Sequence, residues 1–258
     1  MKIQLLPSTF DAQGRARSEQ RLTCYVVDDR VALDAGSLAL ALSDAQRETV
    51  RDVVVTHPHA DHVATLPIFI DDLFSRLTAP VRVHATAEVV RLLRRDVFNG
   101  TVYPRFDELH NGHGRVMEFA PFEPHRAFPV AHLSVTAVPV NHIVPTVGLV
   151  VADGAASVAF TSDTAATDDF WRALDTLPRL DALFVESSFP DALGELARVS
   201  GHLTPAALAR ELAKLSRTLP DVLAVHIKPS FRETVVAELA ALGIENLRVM
   251  EPGRVYEW

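Results

Sequence analysis

The chain has 258 residues, 48% of them hydrophobic and 22% charged, with a formal net charge of −8. That length suits one large domain or two small ones with a substantial core, and the interleaved charges argue against a nucleic-acid binder with a basic face. Cys24, the only cysteine, leaves no disulfide framework and no cysteine-based zinc knuckle. The opening MKIQLLPSTFDAQGRARSEQ turns polar too early for a signal peptide, and no apolar run reaches the ~18 residues of a membrane span. A cytoplasmic protein without membrane contact is expected.

In chain order, LTCYVVDD and RVALDAG read as strands around a hairpin turn at Asp28–Asp29, and DVVVTH as a third strand. VATLPIFIDDLFSRL has helical spacing, with Pro67 marking a kink or break. VRVHAT reads as a strand and AEVVRLLRRDVF as a helix, and residues 99–126 as loop-rich. That segment is expected to cover one side of a cleft and to set substrate choice. LSVTAVPV, VGLVVAD and SVAFTSD read as strands, DDFWRALDTL as a helix and DALFVESSF as a strand. TPAALARELAKLSRTL follows as a helix, DVLAVHIK as a strand, FRETVVAELAALG as a helix, and NLRVMEP with RVYEW ends the chain. No repeat or linker interrupts the series, which favours one domain over 1–258. Strands clustered in each half, with helices between and after them, predict an α+β fold, an αββα sandwich of two sheets with helices outside.

Within VVVTHPHADHVATLPIFI, His57, His59, Asp61 and His62 fall in six positions between two apolar elements. Imidazole nitrogen and carboxylate oxygen suit divalent transition metals, zinc above all, with manganese or iron also accepted. Residues two apart share a face of an extended chain, so His57 and His59 can meet one ion, while Asp61 and His62 reach a second. Two ions need more ligands than this turn supplies. His142, Asp163 and His226 each follow an apolar run and are the candidates. A solvated loop and three incidental strand-end polar residues form the competing account.

The order H-x-H-x-D-H, then His, Asp and His, resembles the metallo-β-lactamase superfamily of dinuclear hydrolases, and LDAG at Leu33–Gly36 resembles its first motif. VNHIVPTVG, FTSDT, VESSFP, SGHLTPAALARELAKL and VHIKP are most similar to its class II cyclic-nucleotide (cAMP) phosphodiesterases, relatives of ribonuclease Z. The resemblance implies two mixed sheets packed face to face. It also implies His57, His59 and His142 on one ion, Asp61, His62 and His226 on the other, and Asp163 bridging both. A metal-bridging hydroxide would be the nucleophile, and Asp34 would support a ligand without being one. Neither the Cys ligand of many β-lactamases nor the glycine pair of glyoxalase-type hydrolases has a counterpart here.

Thr204 reads as an N-cap and Pro205 as a first helical residue, which puts His202 just ahead of a helix N-terminus that attracts anions. His202 can bind a phosphate oxygen or protonate the leaving oxygen. Glu186 can hold its orientation, as a similar pair does in the ribonuclease Z relatives. His202, Asp61 and Glu186 are therefore the candidate catalytic residues. Lys228 reads as an exposed lysine, and His84, His110, His113, His125 and His132 as structural or exposed. The expected reaction opens a 3′,5′-cyclic nucleotide to the 5′-nucleotide. The substrate is thus a small phosphodiester rather than nucleic acid, and a homodimer is compatible with the reading. A ribonuclease Z-like nuclease and a lactone, thioester or lactam hydrolase on the same centre are the rivals. A non-catalytic phospho-ligand binder fits least.

Overall fold

A computed structural model describes residues 1–258. The first half contributes β1 (Lys2–Leu5), β2 (Tyr25–Val27), β3 (Val31–Leu33), β4 (Asp52–Val54) and β5 (Val81–Thr86). A small hairpin of β6 (His110–Asn111) and β7 (Gly114–Arg115) precedes β8 (Met117–Phe122). Then come β9 (Ala127–Val130), β10 (Leu133–Pro139), β11 (Val147–Ala152), β12 (Ser157–Phe160), β13 (Ala182–Glu186), β14 (Asp221–Val225), β15 (Leu247–Val249) and β16 (Val255–Glu257). Two seven-stranded mixed sheets result, ordered β16-β1-β2-β3-β4-β5-β8 and β15-β14-β13-β12-β11-β10-β9.

Side-chain alternation along the strands explains the layers. Tyr25, Val27 and Val54 face the space between the sheets, where they meet Phe160, Phe184 and Leu223. Val26 and Val53 point the other way, toward Leu38 of α1 (Leu38–Ala41), Phe69 of α4 (Leu66–Leu73) and Leu93 of α5 (Ala87–Asp96). This side also carries α2 (Asp44–Thr49) and α3 (Ala60–Val63). Beyond the second sheet, Leu183, Val222 and Ala224 pack on Trp171 of α6 (Asp169–Asp175) and on Leu208, Leu212 and Val235. Those last residues belong to α8 (Pro205–Leu212) and α9 (Arg232–Ala241), with α7 (Gly194–Ser200) ahead of them. Three apolar layers separate four structural ones, which is the expected αββα sandwich.

β3, β4 and β5 run parallel, as do β12, β13 and β14. β10 points the same way as β12, because both are antiparallel to β11. The loops leaving the C-terminal ends of β3, β4, β10, β12, β13 and β14 therefore gather along one rim, where open α/β sheets usually place ligand sites.

Three expectations need correction. Pro67 kinks nothing: it lies in the first turn of α4, where a missing N–H costs no hydrogen bond. The helix predicted over TPAALARELAKLSRTL stops at Leu212, although Leu215 and Leu219 still pack on the outer core. Residues 99–126 hold the β6–β7 hairpin and the six-residue β8. Most of that segment does not cover the rim. Phe106 is buried beside Phe98, and Asn111 Nδ2 donates to the carbonyls of Phe74 and Leu77 at the end of α4.

Among the remaining histidines, His84 is structural. Its Nε2 lies 2.8 Å from Asp52 Oδ1, which also accepts from Arg82 Nε at 2.9 Å. Burial pushes the Asp52 carboxyl upward, but the hydrogen bonds from His84 and Arg82 outweigh it and hold the group below the usual carboxylate range. A carboxylate depressed in the folded state stabilises above its unfolded value of ~3.9 and loses that contribution as pH falls through the folded value. Asp52→Asn is expected to cost about 1.5–3 kcal/mol at neutral pH. Urea midpoints at several pH values should show the gap from wild type closing in acid.

Candidate metal centre

Strand ends deliver the donors, and the backbone is strained where they do. Asp34, Ser162 and His226 follow β3, β12 and β14 with φ of 58°, 55° and 57°, a left-handed conformation that costs non-glycine residues about 1–3 kcal/mol each. Residues held this way cluster at functional sites. Gly36 of LDAG is needed for space: a Cβ there would lie 2.0 Å from the Asp61 carbonyl oxygen, in the crossing where Thr23 N donates to that oxygen.

The seven predicted donors converge in two groups. His57, His59, His142 and Asp163 form one; Asp61, His62, Asp163 and His226 form the other, and in each the donor atoms lie within 4.8 Å of one another. Asp163 serves both. Its Oδ2 is 3.6 Å from His57 Nε2, while Oδ1 is 3.4 Å from His62 Nε2 and 3.5 Å from His226 Nε2.

The partners of the other ring nitrogens set which nitrogen each imidazole presents. His62 Nδ1–H donates to Asp34 Oδ2 at 2.7 Å, and His142 Nδ1–H to the Gly201 carbonyl at 2.8 Å. His226 Nδ1 meets Ser188 Oγ at 3.0 Å, and His57 Nδ1 meets Thr56 Oγ1 at 3.0 Å. Thr56 in turn donates to Asp34 and accepts from Ser162 Oγ. Nε2 of all four rings is thereby left with a lone pair aimed into the two groups. His57 Nε2 is buried with no hydrogen-bond partner, a loss of about 1–3 kcal/mol if nothing else meets it. His62 Nε2 faces His226 Nε2 across 3.4 Å, and His142 Nε2 faces His59 Nδ1 across 3.2 Å. Lone pairs at these separations repel unless a cation lies among them, so the donor set suits one divalent ion per group.

Charge distribution agrees at Asp163, Asp61 and His57. Burial pushes Asp163 upward, yet the facing His226 and His62 hold it well below the carboxylate range. Burial also opposes ionisation of Asp61, but the facing His226 and His62 outweigh it and hold that carboxyl below its ordinary value too. His57 is driven well below the ordinary histidine value by burial and by His62. Ionised carboxylates and neutral imidazole are the ligating forms. His62 departs from this, because Asp163 and Asp34 outweigh its burial and raise its pKa well above the ordinary histidine value, so an ion binding there displaces a proton. Asp34→Ala would remove the acceptor that fixes the His62 tautomer, and metal affinity should fall about 10–100-fold; competition with a chromophoric chelator measures this directly.

His202 lies against both groups, its ring centroid 5.0 Å from that of His142 and 5.6 Å from that of His226. Its Nδ1 is 2.8 Å from Glu186 Oε1. Glu186 is buried and also accepts from Thr164 N, Ser188 N and Ser188 Oγ. Burial disfavours the charged form of His202, but the Glu186 carboxylate more than offsets this and raises its pKa. The helix N-terminus beyond it is not the anion site expected. Ala206 N is taken by Asp191 Oδ1, Ala207 N by Thr204 Oγ1 and Leu208 N by the Thr204 carbonyl, and Pro205 has no N–H. Lys228 is not a free surface lysine either, since its Nζ lies 3.7 Å from Asp61 Oδ2.

Ser188, Thr56, Ser162 and Gly201 were given no role in the sequence, although all support ring orientation. The second serine of VESSFP was the available signal for Ser188: it sits two residues past a buried carboxylate at a strand end. Nothing local marks Thr56 or Ser162.

Comparison with known proteins identifies the family and the fold. Residues 30–227 match the family described as "Beta-lactamase superfamily domain". A Yersinia pestis protein named "Probable 3′,5′-cyclic-nucleotide phosphodiesterase" is 27% identical, over 86% of this chain and 75% of that one. Unliganded yeast PDE1 superimposes with a TM-score of 0.77 at 16% identity, covering 98% of both chains. The metallo-β-lactamase fold protein YhfI of Bacillus subtilis gives 0.75 at 16% identity over 99% of both. No helix is long and apolar enough to cross a membrane. The chain belongs to the β-lactamase superfamily and is a hydrolase of the metallo-β-lactamase fold.

Proposed function

We propose that this hydrolase cleaves a phosphodiester, opening a 3′,5′-cyclic nucleotide to the 5′-nucleotide, on two zinc ions. His57, His59 and His142 hold one ion, Asp61, His62 and His226 the other, and Asp163 both. Residues 1–258 act as one domain, in keeping with a rim that draws donors from both sheets. The observation that carries the reading is the His202–Glu186 pair set against both donor groups, because a phosphodiester needs a proton donor near the ions for a poor leaving group. The name of the Yersinia pestis relative supports the same substrate class.

When bound, the ions supply charge to the phosphoryl oxygens and a water of lowered pKa. The remaining work falls to the chain. Glu186 accepts from His202 Nδ1–H and favours the imidazolium, whose Nε2–H, with no partner in the chain, gives its proton to the departing 3′ oxygen and leaves His202 neutral. Asp61, between His226 and Lys228, keeps its carboxylate fixed at the cleft. Ser188 holds the His226 ring, and Gly201 the His142 ring, where a Cβ would press to 2.7 Å of Nδ1.

The zinc-loaded protein should be assayed on cyclic AMP, bis(p-nitrophenyl) phosphate, a β-lactam and a thioester. Turnover of both phosphodiesters with preference for cyclic AMP is the expected result. Activity confined to the lactam or the thioester would keep the fold and overturn the function.

A further inference from the structure

Two grooves flank the donor groups, and they differ in chemistry. On the His226 side, Arg21 and Lys228 line the groove beside Asp61. On the His142 side lies a larger groove of about 720 Å³, within the range of small-molecule sites, about 300–1,000 Å³. Phe122 and Pro124 form one wall, Ile143 and Pro145 the other, and no lysine or arginine lines it. Glu88 and Glu123 are its only charged groups.

This groove is continuous with the donor groups through His142 and is held in shape. Phe122 stacks on Phe128 with centroids 4.3 Å apart and planes 11° apart. The opposite wall is a closed loop, tied by Val140 N to the Thr146 carbonyl and by Thr146 Oγ1 to the Val144 carbonyl. Asn141 anchors it to the backbone of Ala165 and Ala166. Ile143 nonetheless remains 61% exposed, directly after His142. Ile143 does not stand alone: with Pro124, Val144 and Pro145 it lines one continuous apolar groove beside a polar centre, the kind of contiguous patch that marks a surface for an apolar part of a ligand.

We infer that the groove between Phe122–Pro124 and Ile143–Pro145 receives the base of the nucleotide, an inference that rests on the phosphodiesterase reading. A second phosphate in that groove would meet two carboxylates and no cation, whereas a neutral ring finds apolar walls on both sides. The phosphate's remaining charge lies toward Arg21 and Lys228. The substrate is therefore bound in one orientation, base toward His142. Phe122–Pro124 belongs to residues 99–126 and lines this groove, so the expected role of that segment in substrate choice narrows to these positions.

The test compares 5′-AMP with ribose 5-phosphate, which shares the phosphate and sugar and lacks the base, by calorimetric titration of the zinc-loaded protein. The wild type should bind 5′-AMP about tenfold or more tighter, the scale of one buried aromatic face. Ile143→Ser should bring the ratio to about two. Val255→Ser, an exposed apolar site on β16, should leave it at the wild-type value. Equal affinities in the wild type, or a ratio that Ile143→Ser does not move, would overturn the groove assignment while phosphodiester turnover persists. Absence of turnover on cyclic AMP and on bis(p-nitrophenyl) phosphate would fell the underlying reading, and this inference with it.

Discussion

His202→Ala is expected to keep two metal ions per chain and to slow hydrolysis of cyclic AMP by about 10²–10⁴-fold, the scale of one general acid. The ring contacts neither Asp61 nor Asp163 directly and is tied instead to Glu186 and Ser188, so its loss need not disturb the donor groups. A proton donor matters in proportion to the basicity of the leaving oxygen. The same variant should therefore lose far less on bis(p-nitrophenyl) phosphate, whose nitrophenolate departs without a proton. A purely structural role for His202 would slow both substrates alike. Rates measured on the two esters, with metal content determined on the same samples, separate the two roles. Glu186→Gln should follow the same leaving-group pattern with a smaller loss, because the ring stays and only its orientation and charge are weakened.

Asp163→Asn should act on both ions at once. The two carboxylate oxygens face different donor groups, Oδ2 toward His57 and Oδ1 toward His62 and His226. An amide replaces one of those oxygens by an N–H donor that cannot ligate. Metal content should fall below two per chain by elemental analysis. Turnover should drop about 10³-fold or more, since Lewis-acid stabilisation is worth several kcal/mol and each 1.36 kcal/mol is tenfold. Two tightly bound ions and near-normal turnover in this variant would remove Asp163 from the bridging position. The wild type offers a parallel readout: ions that bind only the folded state raise its stability with concentration, and Asp163→Asn should blunt that rise.

Much of the rim was legible in the sequence because its signals are local. H-x-H-x-D-H is a dense motif between two apolar elements, and each downstream donor follows an apolar run that reads as a strand. The pairing of donors into two groups came from resemblance, and the structure brings the same seven side chains together. What stayed hidden depends on tertiary contact. Thr56, Ser162 and Ser188 act through hydroxyls that meet rings or carboxylates from distant segments. Left-handed backbone at Asp34, Ser162 and His226 is not legible locally, since glycine is its usual signal and aspartate, serine and histidine far more often take other conformations. The middle of the chain misled for a related reason. Residues 99–126 read as loop-rich, yet β8 lies among them at a sheet edge, where Pro121 is tolerated because one side of the ladder is unpaired. Pro67 likewise read as a break because its place in the first turn of α4 depends on where the short α3 ends.

Two ions, held by donors from both sheets, should be needed together for phosphodiester cleavage. Stepwise titration of the metal-free protein with zinc, with cyclic AMP hydrolysis followed at each addition, tests this requirement most directly. Little activity is expected up to one equivalent and full activity at two. Full activity at one equivalent, or none at two with both ions bound, would contradict it.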